Sequence, residues 1–257
     1  MSASNDSFGK TIGVAVGLCL LCSLAVSGAA VALKKDQQAN KAADVQRSIL
    51  LASGLLKEGE AGDVTALFAN VETLIIDMES GEKVEGVDVA KFNQRKLAKT
   101  PGANKVLTKD EDIAKIKRRS KQAKVYLVRE NGKLKSIVLP VHGYGLFSTL
   151  YGFIALEADT KTVVGLKYYE HKETPGLGGE IVNPQWIAKW PGRTALNDQY
   201  EPIIKLSKTG VKNDNEIDAL SGATMTSRGV ENMMAYWLGK DGFGPFLKNI
   251  RGGKHGV

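Results

Sequence analysis

The chain has 257 residues and carries 35 Lys and Arg against 28 Asp and Glu, a formal net charge of +7. This length suffices for one soluble domain with a sizeable core. A basic balance can indicate a nucleic-acid partner or an anionic membrane surface, but acidic residues are interspersed with the basic ones. We therefore predict no nucleic-acid binding.

An uncharged apolar segment lies near the start of the chain, at residues 11–33. It is long enough to cross a bilayer as a helix. The alternative is a cleaved signal peptide with small residues at 27–30, but the segment is longer than the apolar part of most signal peptides, which favours an uncleaved anchor. The predicted organisation is a tail over 1–10, a transmembrane helix over 11–33, a helical connector over 34–60 and a soluble domain over 61–257.

The basic residues that flank this segment bear on its orientation. Lys10 precedes it, and four basic residues follow it, namely Lys34, Lys35, Lys41 and Arg47. The positive-inside rule would place the large domain in the cytoplasm, but that rule weakens when a long domain follows the span. Charge alone therefore leaves the orientation open.

The cysteines and histidines limit the metal and redox sites. Cys19 and Cys22 both lie in the apolar segment, on one helix face, and are expected to be packing residues unless other subunits supply further ligands. The rest of the chain has no cysteine, which excludes a disulfide or a thiolate-ligated site there. His142, His171 and His255 lack metal-ligand spacing, and the first two are expected to be surface or hydrogen-bonded residues.

Periodicity and turn signals predict the remaining elements. In order, they are helices over 39–56 and 64–71, a strand over 73–78, a helix over 110–123, strands over 125–128, 137–139, 153–158 and 163–169, and a short helix over 184–189. Asn131-Gly132 is the strongest hairpin signal, and Pro140 is predicted to end its strand or to mark an edge. Together these predict an α+β domain with a mostly antiparallel sheet and flanking helices.

Two helices have a defined face. The basic residues at 115–119 follow acidic residues at 110–112 and are predicted to form the solvated face of the helix over 110–123. The last helix is predicted to start near 225–228 and to end before 239–242. Its apolar face consists of Val230, Met233, Met234, Trp237 and Leu238.

Small and hydroxyl-bearing residues occupy the start of that last helix, and they are Ser221, Gly222, Ala223, Thr224, Met225 and Thr226. The first N–H groups of a helix lack internal partners and carry the positive end of its dipole, so a phosphate is stabilised there. Gly222 and Ala223 leave room for an anion, and the Thr224 hydroxyl can become part of a phosphoester. The alternative is an ordinary helix cap, which uses the same residue types.

A second unusual segment is the glycine-rich loop formed by Glu173, Thr174, Pro175, Gly176, Leu177, Gly178 and Gly179. Its glycines allow the backbone to approach a flat or bulky group, and Leu177 is unusually apolar for a polar loop. The alternative is a connection whose leucine packs into the core. The sequence has no Walker loop, nucleophile elbow, zinc-protease motif or Rossmann fingerprint, so it predicts neither a catalytic residue nor a metal site.

With these motifs the chain resembles the FMN-binding domain family and, within it, the C subunits of the sodium-translocating NADH:quinone reductases. Residues 221–226, preceded by Asp218, look like the flavinylation motif of that family. The loops at 173–179 and 143–146, the single N-terminal span and the Gly-Phe-Gly-Pro-Phe segment at 242–246 are also similar. The resemblance covers nearly the whole chain.

The resemblance implies an electron-transfer subunit of a sodium-pumping NADH:ubiquinone reductase complex, with little activity expected from the subunit alone. In that family an FMN transferase uses FAD to esterify the motif threonine, here Thr224, through the FMN phosphate. The implied partners are this transferase and the other subunits of the complex. The implied location is the bacterial inner membrane, with the large domain on the periplasmic side. A competing hypothesis is a membrane-anchored assembly or ligand-binding module without a redox role.

The resemblance also implies a set of residues around the flavin. The phosphate cradle is expected to consist of Ser221, Gly222, Ala223 and Thr226. Leu177 and Phe147 are expected to contact the ring, although Phe147 lacks the indole N–H of the tryptophan found in related proteins, and Thr174 is expected to tune the potential. The full cofactor-binding set is Thr224, Ser221, Gly222, Ala223, Met225, Thr226, Thr174, Leu177, Gly178, Gly145 and Phe147.

Overall fold

The computed structural model describes residues 7–254, and the chain divides into two compact units, Met1–Asp44 and Val45–Val257. His255 and part of the expected N-terminal tail lie outside the described residues. In the first unit, helix α1 (Phe8–Ala32) contains an 18-residue stretch with a mean hydropathy of 2.3 and is long and apolar enough to cross a membrane. None of its residues is buried within the chain.

Helix α2 (Lys34–Ala52) starts in the first unit and ends in the second, where Ile49 and Leu50 are buried. Its end is set by Gly54, whose φ of 72° lies in the left-handed region, and by the Leu55 N–H, which donates to the Leu50 carbonyl at 3.0 Å. The helix therefore stops short of residue 60, the expected end of the helical connector.

The second unit continues with short helices and a central sheet. Its further helices are α3 (Val64–Phe68), α4 (Gln94–Leu97), α5 (Pro184–Ile187), α6 (Thr224–Leu238) and α7 (Gly244–Arg251), with a 3-10 turn at Gly178–Val182. Its strands are β1 (Val71–Asp77), β2 (Asn104–Val106), β3 (Arg118–Ser120), β4 (Gln122–Glu130), β5 (Lys133–Tyr144), β6 (Thr149–Glu157), β7 (Val163–Glu170), β8 (Lys205–Ser207) and β9 (Glu216–Asp218).

The central sheet has the order β1-β4-β5-β6-β7, and every neighbouring pair in it is antiparallel. Strands β2 and β3 form a small antiparallel pair, and β8 and β9 form a parallel pair. Asn131 and Gly132 both have positive φ, 53° and 77°, as a tight hairpin turn between β4 and β5 requires. The predicted α+β class with a mostly antiparallel sheet is confirmed.

Different helices cover the two faces of this sheet, because side chains alternate along each strand. Ile137, Leu139 and Val141 of β5 belong to the apolar cluster that includes α6. Val138 of the same strand belongs to the other cluster, which contains Ile49 of α2. The candidate functional site therefore lies on the α6 side of the sheet, at the end where that helix begins.

The prediction of a helix over 110–123 is wrong. Turns and irregular backbone occupy residues 110–117, and β3 and β4 follow from Arg118 onward. The Asp112 carboxylate accepts hydrogen bonds from the N–H groups of Ile116 at 2.7 Å and Lys117 at 2.9 Å, which offers the backbone an alternative to helical bonding. The basic residues at 115–119 are thus not one helix face, and Arg119 is buried.

Pro140 does not end its strand, because β5 continues to Tyr144 and pairs Pro140 with Phe153 of β6. The Tyr144 N–H points away from β6 and donates to the Ala114 carbonyl at 2.9 Å. By alternation, the position of the missing Pro140 N–H faces the same side, toward β4. The ladder between β4 and β5 accordingly ends at the pair Tyr126 and Val138.

Gly165 tests how α2 packs on the sheet. A Cβ atom at this position would lie 2.5 Å from the Ala52 carbonyl oxygen. Gly165→Ala should lower the free energy of unfolding by about 1–3 kcal/mol, because backbone atoms would have to move apart. Gly252→Ala is the control, since its Cβ would meet nothing closer than 3.5 Å. Thermal unfolding of the full chain in detergent measures both, and equal midpoints would contradict the described packing.

Candidate functional site

The site is built around the first turn of α6. The helix begins at Thr224, and Ala223 at its cap position makes no side-chain capping bond. Among residues 7–254, the N–H groups of Thr224, Met225 and Thr226 have no hydrogen-bond acceptor. The Thr224 hydroxyl, on a half-buried side chain, also has no partner among these residues. This end of the helix can therefore accept an anion without displacing a protein contact.

The turn before α6 is fixed from outside the helix. Trp186 Nε1 donates to the Asp218 carbonyl at 2.8 Å, and Lys189 Nζ lies 2.7 Å from the Asp218 carboxylate. The turn is also bonded to the helix itself, because the Leu220 N–H donates to the Ser227 hydroxyl of α6 at 3.0 Å. Gly222 has a φ of 70°, which a residue with a side chain rarely adopts. The approach to Thr224 is therefore held in one conformation.

Thr226 points away from the free N–H groups and into the protein. It is fully buried, and its hydroxyl donates to Glu173 Oε2 at 2.8 Å. Its side chain thus links α6 to the glycine-rich loop. This partner lies 53 residues earlier in the chain, so no local sequence signal could have identified it.

Glu173 is the most heavily hydrogen-bonded carboxylate of the site and is 5% exposed. Besides Thr226, it accepts bonds from the turn between β5 and β6: from the N–H groups of Leu146 (3.2 Å), Phe147 (3.0 Å) and Ser148 (3.1 Å), and from the Ser148 hydroxyl (3.3 Å). Burial by itself raises the pKa of Glu173, but these hydrogen bonds outweigh it and lower the pKa below its usual value. Glu173 is therefore a buried, charged support of the site.

Two glycines of the predicted set leave room for this carboxylate. A Cβ atom at Gly145 would lie 2.7 Å from Glu173 Oε1. A Cβ atom at Gly178 would lie 2.5 Å from Thr226 Oγ1 and 2.7 Å from Glu173 Oε2. The close contacts at these two glycines are thus made by side chains of the protein itself, Glu173 and Thr226.

Apolar side chains around this support remain in solvent. Phe147 is 64% exposed and Leu177 is 46% exposed. Leu177 lies beside the turn before α6, since its Cδ2 atom would be 3.2 Å from a Cβ at Gly222. Other exposed large apolar residues on the β5–β6 turn and the first turn of α6 are Leu146 and Met225. Exposed apolar groups at such a site are typical of a binding surface.

The structure thus brings the predicted cofactor-binding residues together from three segments: the β5–β6 turn, the loop after β7 and the start of α6. Ser221, Gly222 and Thr174 are exposed, whereas Ala223 is buried. Sequence reasoning missed the roles of Glu173 and Ser227, and it missed Arg228. Arg228 is exposed one helical turn after Thr224 and makes no ion pair within residues 7–254. The i to i+4 spacing from Thr224 could have identified it.

The histidines lie outside this set. The His142 ring packs between Tyr151, at 5.4 Å between centroids, and Trp237, at 4.7 Å. Its pKa is lowered to about 4 by burial and by the nearby Arg95, so the ring is neutral at neutral pH. His171 Nδ1 accepts a bond from the Glu173 N–H at 3.3 Å, as expected of a hydrogen-bonded residue. No group of residues that could bind a metal ion occurs in the described part of the chain.

Comparison with known families places this site inside a recognised domain. The model of the FMN-binding domain matches residues 145–239, from the β5–β6 turn to the end of α6. The matched segment contains the three segments of the site, including Glu173 and Thr226. The chain is also similar in sequence to curated proteins along almost its whole length, and similar in structure to solved proteins over more than four fifths of it.

The chain is 46% identical over 259 residues to the C subunit of the Na(+)-translocating NADH-quinone reductase of Pseudomonas aeruginosa, covering 98% of this chain and 99% of that protein. It is 46% identical over 254 residues to the protein of the same name from Vibrio vulnificus, covering 98% of each. The crystal structure of Shewanella oneidensis NqrC matches with a TM-score of 0.78 and 37% identity, covering 83% of this chain and 99% of that chain. The crystal structure of the C subunit from Parabacteroides distasonis matches with a TM-score of 0.64 and 25% identity, covering 84% and 96%.

Glu173→Gln tests the buried support. The amide keeps the shape but places an NH2 group against backbone N–H donors, which should cost about 2–4 kcal/mol of unfolding free energy. Because the pKa of Glu173 is lowered in the folded state, its contribution is complete above the unfolded pKa of about 4.3 and is lost as the pH falls through the folded pKa. The variant should lack that acid-dependent loss.

Glu180→Gln is the matched control, since Glu180 accepts one side-chain bond, from Asn183. Thermal unfolding between about pH 7 and pH 3 measures both variants. Equal destabilisation by the two substitutions, or an unchanged pH dependence in Glu173→Gln, would contradict the role of Glu173.

Proposed function

The chain belongs to the family of C subunits of the Na(+)-translocating NADH-quinone reductases, and from this premise we propose that it is the electron-transfer subunit that carries FMN in such a complex. The observation that supports this most directly is the start of α6, where three backbone N–H groups and the Thr224 hydroxyl have no hydrogen-bond partner among residues 7–254. That helix lies within the match to the FMN-binding domain.

We infer that the FMN is attached covalently to Thr224. The Thr224 oxygen would displace AMP from FAD, forming a bond to the phosphorus of the FMN half, while the AMP phosphate leaves with the broken pyrophosphate oxygen. A dedicated FMN transferase would catalyse this exchange. A hydroxyl without a protein partner, on a half-buried side chain, is accessible to such an enzyme. The tether would remove the dissociation equilibrium of the cofactor.

The phosphodiester would retain one negative charge, and the first turn of α6 suits it. The N–H groups of Thr224, Met225 and Thr226 supply donors and the positive end of the helix dipole. Gly222 and Ser221 leave the approach open. Arg228, one turn later on the same face, supplies a positive charge. In this proposal Thr226 supports the cradle from beneath, because its hydroxyl is bonded to Glu173.

The flavin ring would lie against the exposed apolar groups of the two loops. Leu177 and Phe147 would contact it, and covering them would remove apolar surface from water. Thr174, exposed on the same loop, could donate a hydrogen bond that tunes the potential. The bound flavin would supply the electron-accepting chemistry, while the chain supplies its position and electrostatic surroundings.

The remaining chain fits a subunit of a membrane complex. Helix α1 would anchor it in the bacterial inner membrane, and the large domain would lie on the periplasmic side. Its partners would be the other subunits of the reductase, which deliver and accept electrons during sodium transport. The basic residues after α1 are a weak objection to this orientation, because a long translocated domain overrides local charge.

Thr224→Ala tests the covalent attachment. When the full chain is co-expressed with an FMN transferase, a denaturing gel under ultraviolet light should show a fluorescent band that the substitution abolishes. Thr226→Ala is the comparison and should retain part of the label, since it removes a support and not the acceptor hydroxyl. An unlabelled wild-type chain in that host would favour an anchored module without a redox role. A label lost only in Thr226→Ala would contradict the choice of Thr224.

Leu177→Asp tests the position of the ring. A carboxylate against the flavin should shift the absorption spectrum or the reduction potential while the covalent label remains, because charge near the ring alters the stability of its reduced form. Val211→Asp is the control, as it adds the same charge at an exposed apolar residue of another loop. Identical spectra and potentials in Leu177→Asp and the wild type would place the ring elsewhere.

A further inference from the structure

A cavity of about 690 Å³ lies beside the end of β5, beyond the last pair that this strand forms with β4. Pro140, Val141, His142 and Tyr144 of β5 line it, and the His142 ring also packs against the Trp237 ring of α6. Its lining includes five basic side chains, Arg95, Lys99, Lys115, Lys117 and Arg118, and one carboxylate, Glu170. None of these residues belongs to the candidate FMN site.

The cavity exists because the sheet opens at Pro140. Beyond Val138, β5 no longer pairs with β4, since Pro140 has no N–H to donate toward that side. The segment before β3 runs along the open edge instead, where the Ala114 carbonyl accepts the bond from Tyr144. This arrangement brings the basic residues 115–118 against the exposed end of β5.

Four of the five cations form no ion pair with any residue in the described part of the chain. Arg95 forms an ion pair with Glu170 at 2.8 Å and lies over the Tyr151 ring at 3.5 Å, so the single carboxylate is already used. Within residues 7–254 no ion pair involves the remaining four cations, which are Lys99, Lys115, Lys117 and Arg118. Like charges around one cavity repel each other, and a bound anion removes that repulsion.

The backbone that carries two of these lysines is strained. Lys115 has a φ of 54° and Lys117 a φ of 64°, in the left-handed region that favours glycine or asparagine. The Asp112 carboxylate fixes this conformation through the N–H groups of Ile116 and Lys117. The backbone conformation therefore disfavours lysine at both positions. Backbone strain of this kind is typical of binding sites.

The floor of the cavity is aromatic, and the Arg95 guanidinium that lies on it is already paired with Glu170. The His142 ring is neutral at neutral pH and stacks on Tyr151, and the Tyr169 hydroxyl accepts a bond from Arg95. The positive charge thus lies at the rim, above an aromatic floor. A ligand that matches the cationic rim carries several negative charges close together.

We propose that this cavity binds a phosphate-bearing anion through Lys115, Lys117 and Arg118. Arg118 offers a planar fork that matches two phosphate oxygens, and the lysines offer point charges. The cavity is much larger than a single phosphate, so the group it takes belongs to a larger molecule, either a soluble phosphate ester or the headgroup of an anionic phospholipid. This site is independent of the FMN proposal, because Lys115, Lys117 and Arg118 belong to none of the three segments of the candidate FMN site.

The test uses the full chain in phosphatidylcholine nanodiscs at physiological salt, titrated with pyrophosphate by calorimetry. We expect one site per chain and at least about tenfold weaker binding for the triple variant K115Q/K117Q/R118Q. The control K205Q/K208Q/K212Q removes the same charge from exposed lysines on the β8–β9 side and should change the affinity less than about twofold. No pyrophosphate binding, or equal losses in both triple variants, would overturn the proposal.

Two further measurements sharpen the result. Nanodiscs that contain phosphatidylglycerol should block pyrophosphate binding if a lipid headgroup is the natural ligand, and should leave it intact if the ligand is a soluble ester.

Lys117→Gly removes one cation and relieves one strained residue, so it should raise the unfolding temperature and weaken pyrophosphate binding together. A lowered unfolding temperature, or unchanged binding, would contradict the proposed use of Lys117.

Discussion

The buried carboxylate of Glu173 is the contact on which the candidate FMN site depends. It accepts hydrogen bonds from the turn between β5 and β6 and from Thr226 of α6, so three segments that are distant in sequence meet at one side chain. Burying a carboxylate costs free energy unless hydrogen-bond donors satisfy its oxygens. Here five donors bond to the Glu173 carboxylate. Gly145 and Gly178 are needed because any Cβ there would overlap this carboxylate or Thr226.

This support explains why the surface of the site can remain open. Because Glu173 and Ser227 satisfy the buried polar groups, the N–H groups of the first turn of α6 are left for a ligand, and Leu177 and Phe147 are left in solvent. A tethered redox carrier requires a rigid support beneath a surface whose N–H donors and apolar side chains are still available to the cofactor. The cofactor has to return to one position in every cycle. The cationic cavity beside the end of β5 likewise combines cations that form no ion pair within residues 7–254 with a backbone that Asp112 holds in place.

Much of the fold could be predicted from local patterns. The apolar face of α6 and the Asn131-Gly132 turn are signals carried by neighbouring residues, and both were correct. The errors arose where a single side chain competes with the regular pattern. Asp112 bonds to the backbone and prevents the helix expected over 110–123. The placement of Thr226 depends on Glu173, and such a long-range pairing leaves no spacing in the sequence to read.

Attachment of FMN at Thr224 is tested most directly by peptide mapping, using mass spectrometry of the full chain co-expressed with an FMN transferase. Trypsin cleaves after Lys212 and Arg228, so one peptide contains all four candidate hydroxyls: Ser221, Thr224, Thr226 and Ser227. This peptide should gain the mass of FMN less one water, with fragmentation locating the addition on Thr224. An unmodified peptide from flavin-replete cells, or a modification on any of the other three residues, would contradict the proposed attachment.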